Sequence, residues 1–93
     1  MRDYELMVVI NPELDDEGMS TIMDKLKGLI TERGGSITDV EQWGRRRLAY
    51  PIKRFLEGNY VLTHFKMDPN LTNEVDAGLR LLEAVLRHLI VRL

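Results

Sequence analysis

Between Tyr4 and Ile10, apolar Tyr4, Leu6, Val8 and Ile10 alternate with Glu5, Met7 and Val9. A period of two is the spacing at which successive side chains of a β-strand point to opposite faces, so the segment predicts a strand, placed centrally in its sheet. Asn11-Pro12 ends it. Asp15, Asp16 and Glu17 follow, where the positive end of a helix dipole favours negative charge. Met19, Ile22, Met23, Leu26, Leu29 and Ile30 then recur at intervals of three and four, while Asp24, Lys25, Lys27 and Glu32 fall elsewhere. That spacing gathers the apolar set on one helical face, which needs a sheet to cover. Gly34-Gly35 closes the helix near Arg33, because glycine enters the left-handed conformation without a steric penalty.

Ile37 to Gly44 predicts a second strand, in which Ile37 and Val40 share a face only if a bulge intervenes. Gly44 to Asn59 is rich in charge and turn formers and reads as a connecting segment. Tyr60 to Met67 is dense in strand formers and predicts a third strand. Turning Val61, Thr63, Phe65 and Met67 toward the helices, with Tyr60, Leu62 and His64 outward, removes the larger apolar area from water. Asp68-Pro69 starts a second helix with an acceptor at the cap and proline in the first turn, and Leu71, Val75, Gly78, Leu79 and Leu82 form its stripe. Gly78 lowers helix propensity by about 1 kcal/mol relative to alanine, which points to close helix approach or to simple tolerance. The last strand, Val85 to Leu93, leaves its register open, since Leu86 and Ile90 compete with Leu89, Val91 and Leu93 for the core.

The order β-α-β-β-α-β, with right-handed crossovers, predicts an α+β, ferredoxin-like split βαβ fold. It is a four-stranded antiparallel sheet with two helices on one face and nothing on the other. Ninety-three residues at 44% apolar content suffice for a single domain over residues 1–93 with one modest core.

Charge changes this picture. The net charge is only −2, yet Arg45, Arg46, Arg47, Lys53 and Arg54 fall within ten residues, whereas Glu13, Asp15, Asp16, Glu17 and Asp24 lie together with no base among them. Contact with nucleic acid must therefore come from a local patch and not from diffuse attraction. Guanidinium groups suit phosphate because their planar fork donates two parallel hydrogen bonds. Trp43, Leu48, Tyr50, Pro51, Ile52, Phe55 and Leu56 interleave with the basic residues, more apolar surface than a solvated connection exposes, although some of it is able to fold back on a sheet edge. The combination of arginine and aromatic residues predicts a binding surface.

Cysteine is absent, which excludes disulfides, thiol nucleophiles and thiolate metal sites. The start Met1-Arg2-Asp3-Tyr4-Glu5 lacks the pattern of a signal peptide, and no apolar run reaches membrane-spanning length. The expectation is a mature, soluble chain with no cofactor, metal, membrane or small-molecule partner.

Trp43-Gly44-Arg45-Arg46-Arg47-Leu48-Ala49-Tyr50-Pro51-Ile52 resembles, almost position for position, the central signature of the bacterial small-subunit ribosomal protein six family. Met1-Arg2-Asp3-Tyr4-Glu5 and Asn11-Pro12 look like that family's start and first turn, and the resemblance spans essentially the whole chain. It implies a cytoplasmic constituent of the small ribosomal subunit that binds the central domain of small-subunit ribosomal RNA together with small-subunit ribosomal protein eighteen. It also implies RNA contacts at Arg2, Tyr4, some of Arg45 to Arg47, Arg54, Arg87 and Arg92, and a partner surface at Leu48, Tyr50, Tyr60 and Leu62. Lys53 joins the RNA set from the basic cluster, and Trp43 and Ile52 join the partner set from the interleaved apolar residues. Leu48, Tyr50 and Leu62 are expected to form an exposed apolar patch.

Three rivals fit less well. An enzyme has only His64 and His88 as imidazoles, no thiol, and Ser20 and Ser36 without an activating base in view. A free-standing RNA-recognition domain would carry stacking aromatics where Glu57-Gly58-Asn59-Tyr60-Val61-Leu62 offers only Tyr60 and places an acid where a base belongs. A small-molecule regulatory βαββαβ domain leaves the arginine run unexplained.

Overall fold

A computed structural model describes all 93 residues. The elements are β1 (Arg2–Ile10), α1 (Asp16–Thr31), β2 (Ser36–Ile52), β3 (Phe55–Met67), a 3₁₀ turn (Pro69–Leu71), α2 (Thr72–Arg80) and β4 (Val85–Arg92). The strands form one antiparallel sheet in the order β2-β3-β1-β4, and both helices lie on the same face. β1 is central, as its pattern predicts.

Helix α1 is capped as the sequence indicates, whereas α2 begins at Thr72 with no side-chain cap, because the start predicted at Asp68-Pro69 forms a separate 3₁₀ turn. Asp15 accepts a hydrogen bond from the Gly18 amide at 2.7 Å, and Asp16 and Glu17 occupy the first turn of α1. Gly34, at φ 78°, reverses the chain after α1. Asp68 caps the 3₁₀ turn by accepting from the Asn70 amide at 2.9 Å, and α2 ends at Arg80, two residues before Leu82. A β-carbon on Gly78 would lie 2.5 Å from Leu29 Cδ2, so this glycine serves the close approach of α2 to α1.

Tyr4, Leu6, Val8 and Ile10 of β1 meet Val61, Phe65 and Met67 of β3 on the helix side, against Ile22, Leu26, Ile30, Val75 and Leu79. The alternation of β3 follows the expected split. A shift in pairing between Ile37 and Asp39 supplies the bulge that brings both Ile37 and Val40 to the core. Strand β4 resolves to Ile90 inward, opposite Leu6, with Leu89 and Val91 on the outer face.

Four expectations need correction. Residues 44–59 are not a connection: they are the outer half of a β-hairpin, with Arg45 paired to Asn59, Arg47 to Glu57 and Ile52 to Phe55. Charge and Pro51 misled because β2 is an edge strand, where both are tolerated. The outer face is not bare at its upper end, because Leu48 to Pro51 bulge opposite the single residue Leu56 and fold across it. Leu48 and Leu62 are only 9% and 7% exposed and form no open patch. Tyr4, 6% exposed, stacks on Phe65 with ring centroids 5.5 Å apart, so its ring packs the core and offers no surface to RNA.

Candidate functional site

Strand alternation divides the arginine run. Arg45 and Arg47 project toward the helix side and Arg46 toward the outer face, following their partners Asn59, Glu57 and Gly58. Arg45 is engaged: its Nη2 donates to the Pro12 carbonyl at 2.6 Å, and its Nη1 lies 3.6 Å from Glu57 Oε2. Arg46 lies over the indole of Trp43 at 5.9 Å, an arrangement made by a bulge at Trp43 and by Gly44 at φ 80°. Lys53 and Arg54 form the two-residue tip, next to Ile52 and Phe55. Between the tip and the turn after β1 lies a concavity of about 400 Å³, lined by Pro12, Glu13, Arg45, Arg47, Arg54, Phe55, Leu56 and Glu57.

Arg87 reaches the same end of the molecule from the opposite edge strand. Its guanidinium lies 5.9 Å from the ring centroid of Tyr50 and donates to the Tyr50 hydroxyl, so the bulged arm of β2 spans the outer face to β4. Beside Arg87, the residues Met7, Val9, Tyr60, His88 and Leu89 complete a smaller cavity of about 180 Å³. Arg2 and Arg92 stand at the far end of the sheet, where β1 begins and β4 ends, so the expected RNA residues separate into two groups.

On the outer face Trp43, Tyr50, Leu89 and Val91 are exposed, at 43%, 55%, 59% and 39%. Leu89 and Val91 are absent from the sequence-based set, because only the pairing of Glu5 with Val91 and Met7 with Leu89 reveals their face. Phe55 and Leu56 become visible as site residues only through the hairpin that places them beside Arg54. Ile52 is half-buried at the hairpin tip and Tyr60 half-buried in mid-face.

At the lower end of the same face Asp39, Glu41 and His64 bring one ligand atom each within 4.8 Å of one another. His64 Nε2 already donates to Glu5 Oε1 at 3.0 Å, which makes this a hydrogen-bonded surface cluster. On the helix side His88 Nε2 donates to Asp76 Oδ1 at 2.6 Å, and Arg80 Nη2 lies 2.9 Å from Asp76 Oδ2. The hydrogen bond from His88, reinforced by the charge of Arg80, holds the Asp76 carboxyl below its usual range.

The sequence profile described as ribosomal protein S6 matches residues 3–92. The chain belongs to the ribosomal protein S6 family. Similar relatives bear the name small ribosomal subunit protein bS6, two of them as follows. That of Caldanaerobacter subterraneus subsp. tengcongensis is 45% identical over 92 residues, covering 99% of this chain and 97% of the relative. That of Clostridium acetobutylicum is 43% identical over 93 residues, covering 100% and 98%. The crystal structure of 30S ribosomal protein S6 from Thermotoga maritima superposes with a TM-score of 0.93 at 33% identity, covering 99% of this chain and 87% of that one. The C-terminal domain of the Mycobacterium tuberculosis MgtC protein shares the fold alone, at a TM-score of 0.68 and 10% identity. Membership of the S6 family makes the chain a constituent of the small ribosomal subunit. No helix is long and apolar enough to cross a membrane.

Proposed function

We propose that the chain, acting as one domain over residues 1–93, binds small-subunit ribosomal RNA with the arginines of the hairpin end and small-subunit ribosomal protein eighteen with its outer sheet face, and catalyses nothing. The observation that carries this reading is the exposed apolar set Trp43, Tyr50, Leu89 and Val91 on the side away from the helices, beside Arg46 and Arg87. Aromatic and aliphatic anchors beside arginine are the composition of a protein interface core and its rim. Arg46, Arg47, Lys53, Arg54 and Arg87 supply the phosphate contacts, with Arg2 and Arg92 as a second, smaller point of attachment. Tyr4 has no part in them.

The test is an RNA titration across salt concentrations. Each neutralised phosphate contributes roughly 0.7 to 0.9 to the slope of log affinity against log salt. The acidic segment Glu13 to Glu17 opposes a long RNA track, so the chain alone is expected to bind weakly and its complex with protein eighteen tightly, because the second contact becomes intramolecular. Replacing Arg46, Arg47 and Arg54 by alanine lowers the slope by about two to three. Replacing Tyr50 and Leu89 by serine leaves the melting temperature within about 2 °C and weakens the heterodimer at least about tenfold. Tight RNA binding by the chain alone, or an unchanged slope, overturns the assignment.

A further inference from the structure

The concavity behind the hairpin tip carries more than undirected positive charge. Arg45, Arg47 and Arg54 face Glu13 and Glu57 across it, so three guanidinium groups against two carboxylates leave one net positive charge. That balance matches one phosphodiester and opposes a run of them. Arg45 is already bound to the Pro12 carbonyl and paired with Glu57, whereas Arg47 and Arg54 make no ion pair within the chain. Beside them Arg54 lies over the ring of Phe55 at 5.8 Å, and Leu56, 58% exposed, extends the apolar surface. A volume of about 400 Å³ falls within the range of small-ligand clefts.

A second, independent observation comes from the backbone. Lys53 and Arg54 both adopt positive φ, 48° and 71°, as the central residues of a two-residue hairpin loop. Asn-Gly is the pair that such a loop favours, because residues with a β-carbon are strained there. This chain holds two long cationic side chains at the strained positions. Strain kept in that way marks a place where the side chains have a task that the relaxed pair would not perform.

We infer that this concavity is a single-nucleotide subsite for unpaired RNA, in which Arg47 and Arg54 hold one phosphate and the ring of Phe55 stacks the adjoining base. The inference deepens the RNA-binding reading above and rests on it. Arg54 moves from the ring to the phosphate as the base arrives, exchanging one cation–π contact for a charge-assisted hydrogen bond and a base–aromatic stack. Glu13 and Glu57 repel the next phosphate and thereby limit the site to one nucleotide.

The experiment is an NMR titration of the full chain at low salt with three probes: a decamer of uridylates, uridine monophosphate and inorganic phosphate. The decamer is expected to shift the amides of Arg47 and of Arg54 to Glu57. Phe55→Leu keeps the bulk and removes the π-face, and is expected to weaken decamer binding by about 5- to 150-fold, the range for losing one stacked base. Phe55→Trp restores it, and neither change alters the weak binding of inorganic phosphate, which Arg47→Ala and Arg54→Ala abolish. The combined change Lys53→Asn and Arg54→Gly is expected to raise the melting temperature while weakening the decamer about tenfold or more, opposite signs that a merely structural tip would not give.

Decamer binding that is indifferent to Phe55→Leu overturns the stacking assignment. Uridine monophosphate, which supplies one phosphate and one base, is expected to shift the same amides; if it leaves them unmoved, the limit to a single nucleotide is overturned, and a relaxed tip that binds as well as the original overturns the link between strain and site. The decamer assay requires neither ribosomal RNA nor protein eighteen, so these results leave the assembly reading untouched. That reading fails separately if the unaltered chain does not join ribosomal RNA and protein eighteen.

Discussion

The two faces of β3 are built from the same strand yet closed in different ways. On one, Val61, Phe65 and Met67 lie under two helices and are almost fully buried. On the other, Leu62 is buried with no helix above it, between Met7 and Glu41 on the neighbouring strands. Leu48, whose arm folds across the upper end of that face, packs near Gly58, where a β-carbon would collide with Val9. A sheet with one layer of helices thus shields part of its second face with an extension of its own hairpin, and leaves Tyr50, Leu89 and Val91 exposed. The helix-covered face buries its apolar residues, and the outer face divides them between buried and exposed.

The largest test of this comparison sets Phe65→Ala against Leu62→Ala. Phe65 fills a site closed on every side, and its truncation is expected to destabilise by about 3 to 5 kcal/mol. Leu62→Ala should cost about 2 kcal/mol, the low end for a buried leucine, because a site with no helix above it relaxes more readily than one closed by two helices. Denaturant melts in which Leu62→Ala costs less than about 0.5 kcal/mol would return Leu62 to the open surface.

Tightness of the helical layer is tested at Gly78. Gly78→Val sets branched carbons where the Leu29 side chain already sits, and overpacking of this kind costs about 1 to 3 kcal/mol. A melting temperature unchanged by Gly78→Val would show that α1 and α2 are loosely joined, and would remove the contrast between the two faces.

The smallest effect concerns the rim of the helix-covered face. The folded-state pKa of Asp76 is lowered, so the stability it contributes is fully present above its unfolded value, about 3.9, and disappears as pH falls through the lower folded value. Asp76→Asn is expected to flatten the acid limb of the stability curve below about pH 4. An identical acid limb in wild type and variant, measured by chemical melts between pH 2 and 5, would contradict the His88 to Asp76 hydrogen bond.

Much of this was legible in the chain itself, because alternation and capping act locally. The period of two in Tyr4 to Ile10, the helical stripe from Met19 to Ile30 and the caps at Asp15 and Asp68 fix elements whose partners need not be known. The signature in the arginine and aromatic stretch Trp43 to Ile52 pointed to the family. Pairing was not legible. Whether Leu89 or Ile90 faces the helices depends on which residue of β1 lies opposite, and a one-residue slip exchanges the faces. Residues 44–59 looked like a connection because charge and proline oppose burial, and only the position of β2 at the sheet edge allows them to pair as strand. The same pairing sent Arg45 and Arg46 to opposite sides, buried Leu48, and placed Tyr50 against Arg87, 37 residues away in sequence. Side-chain type sets what a residue is able to bind; the register of its backbone hydrogen bonds decides which side of the sheet it serves.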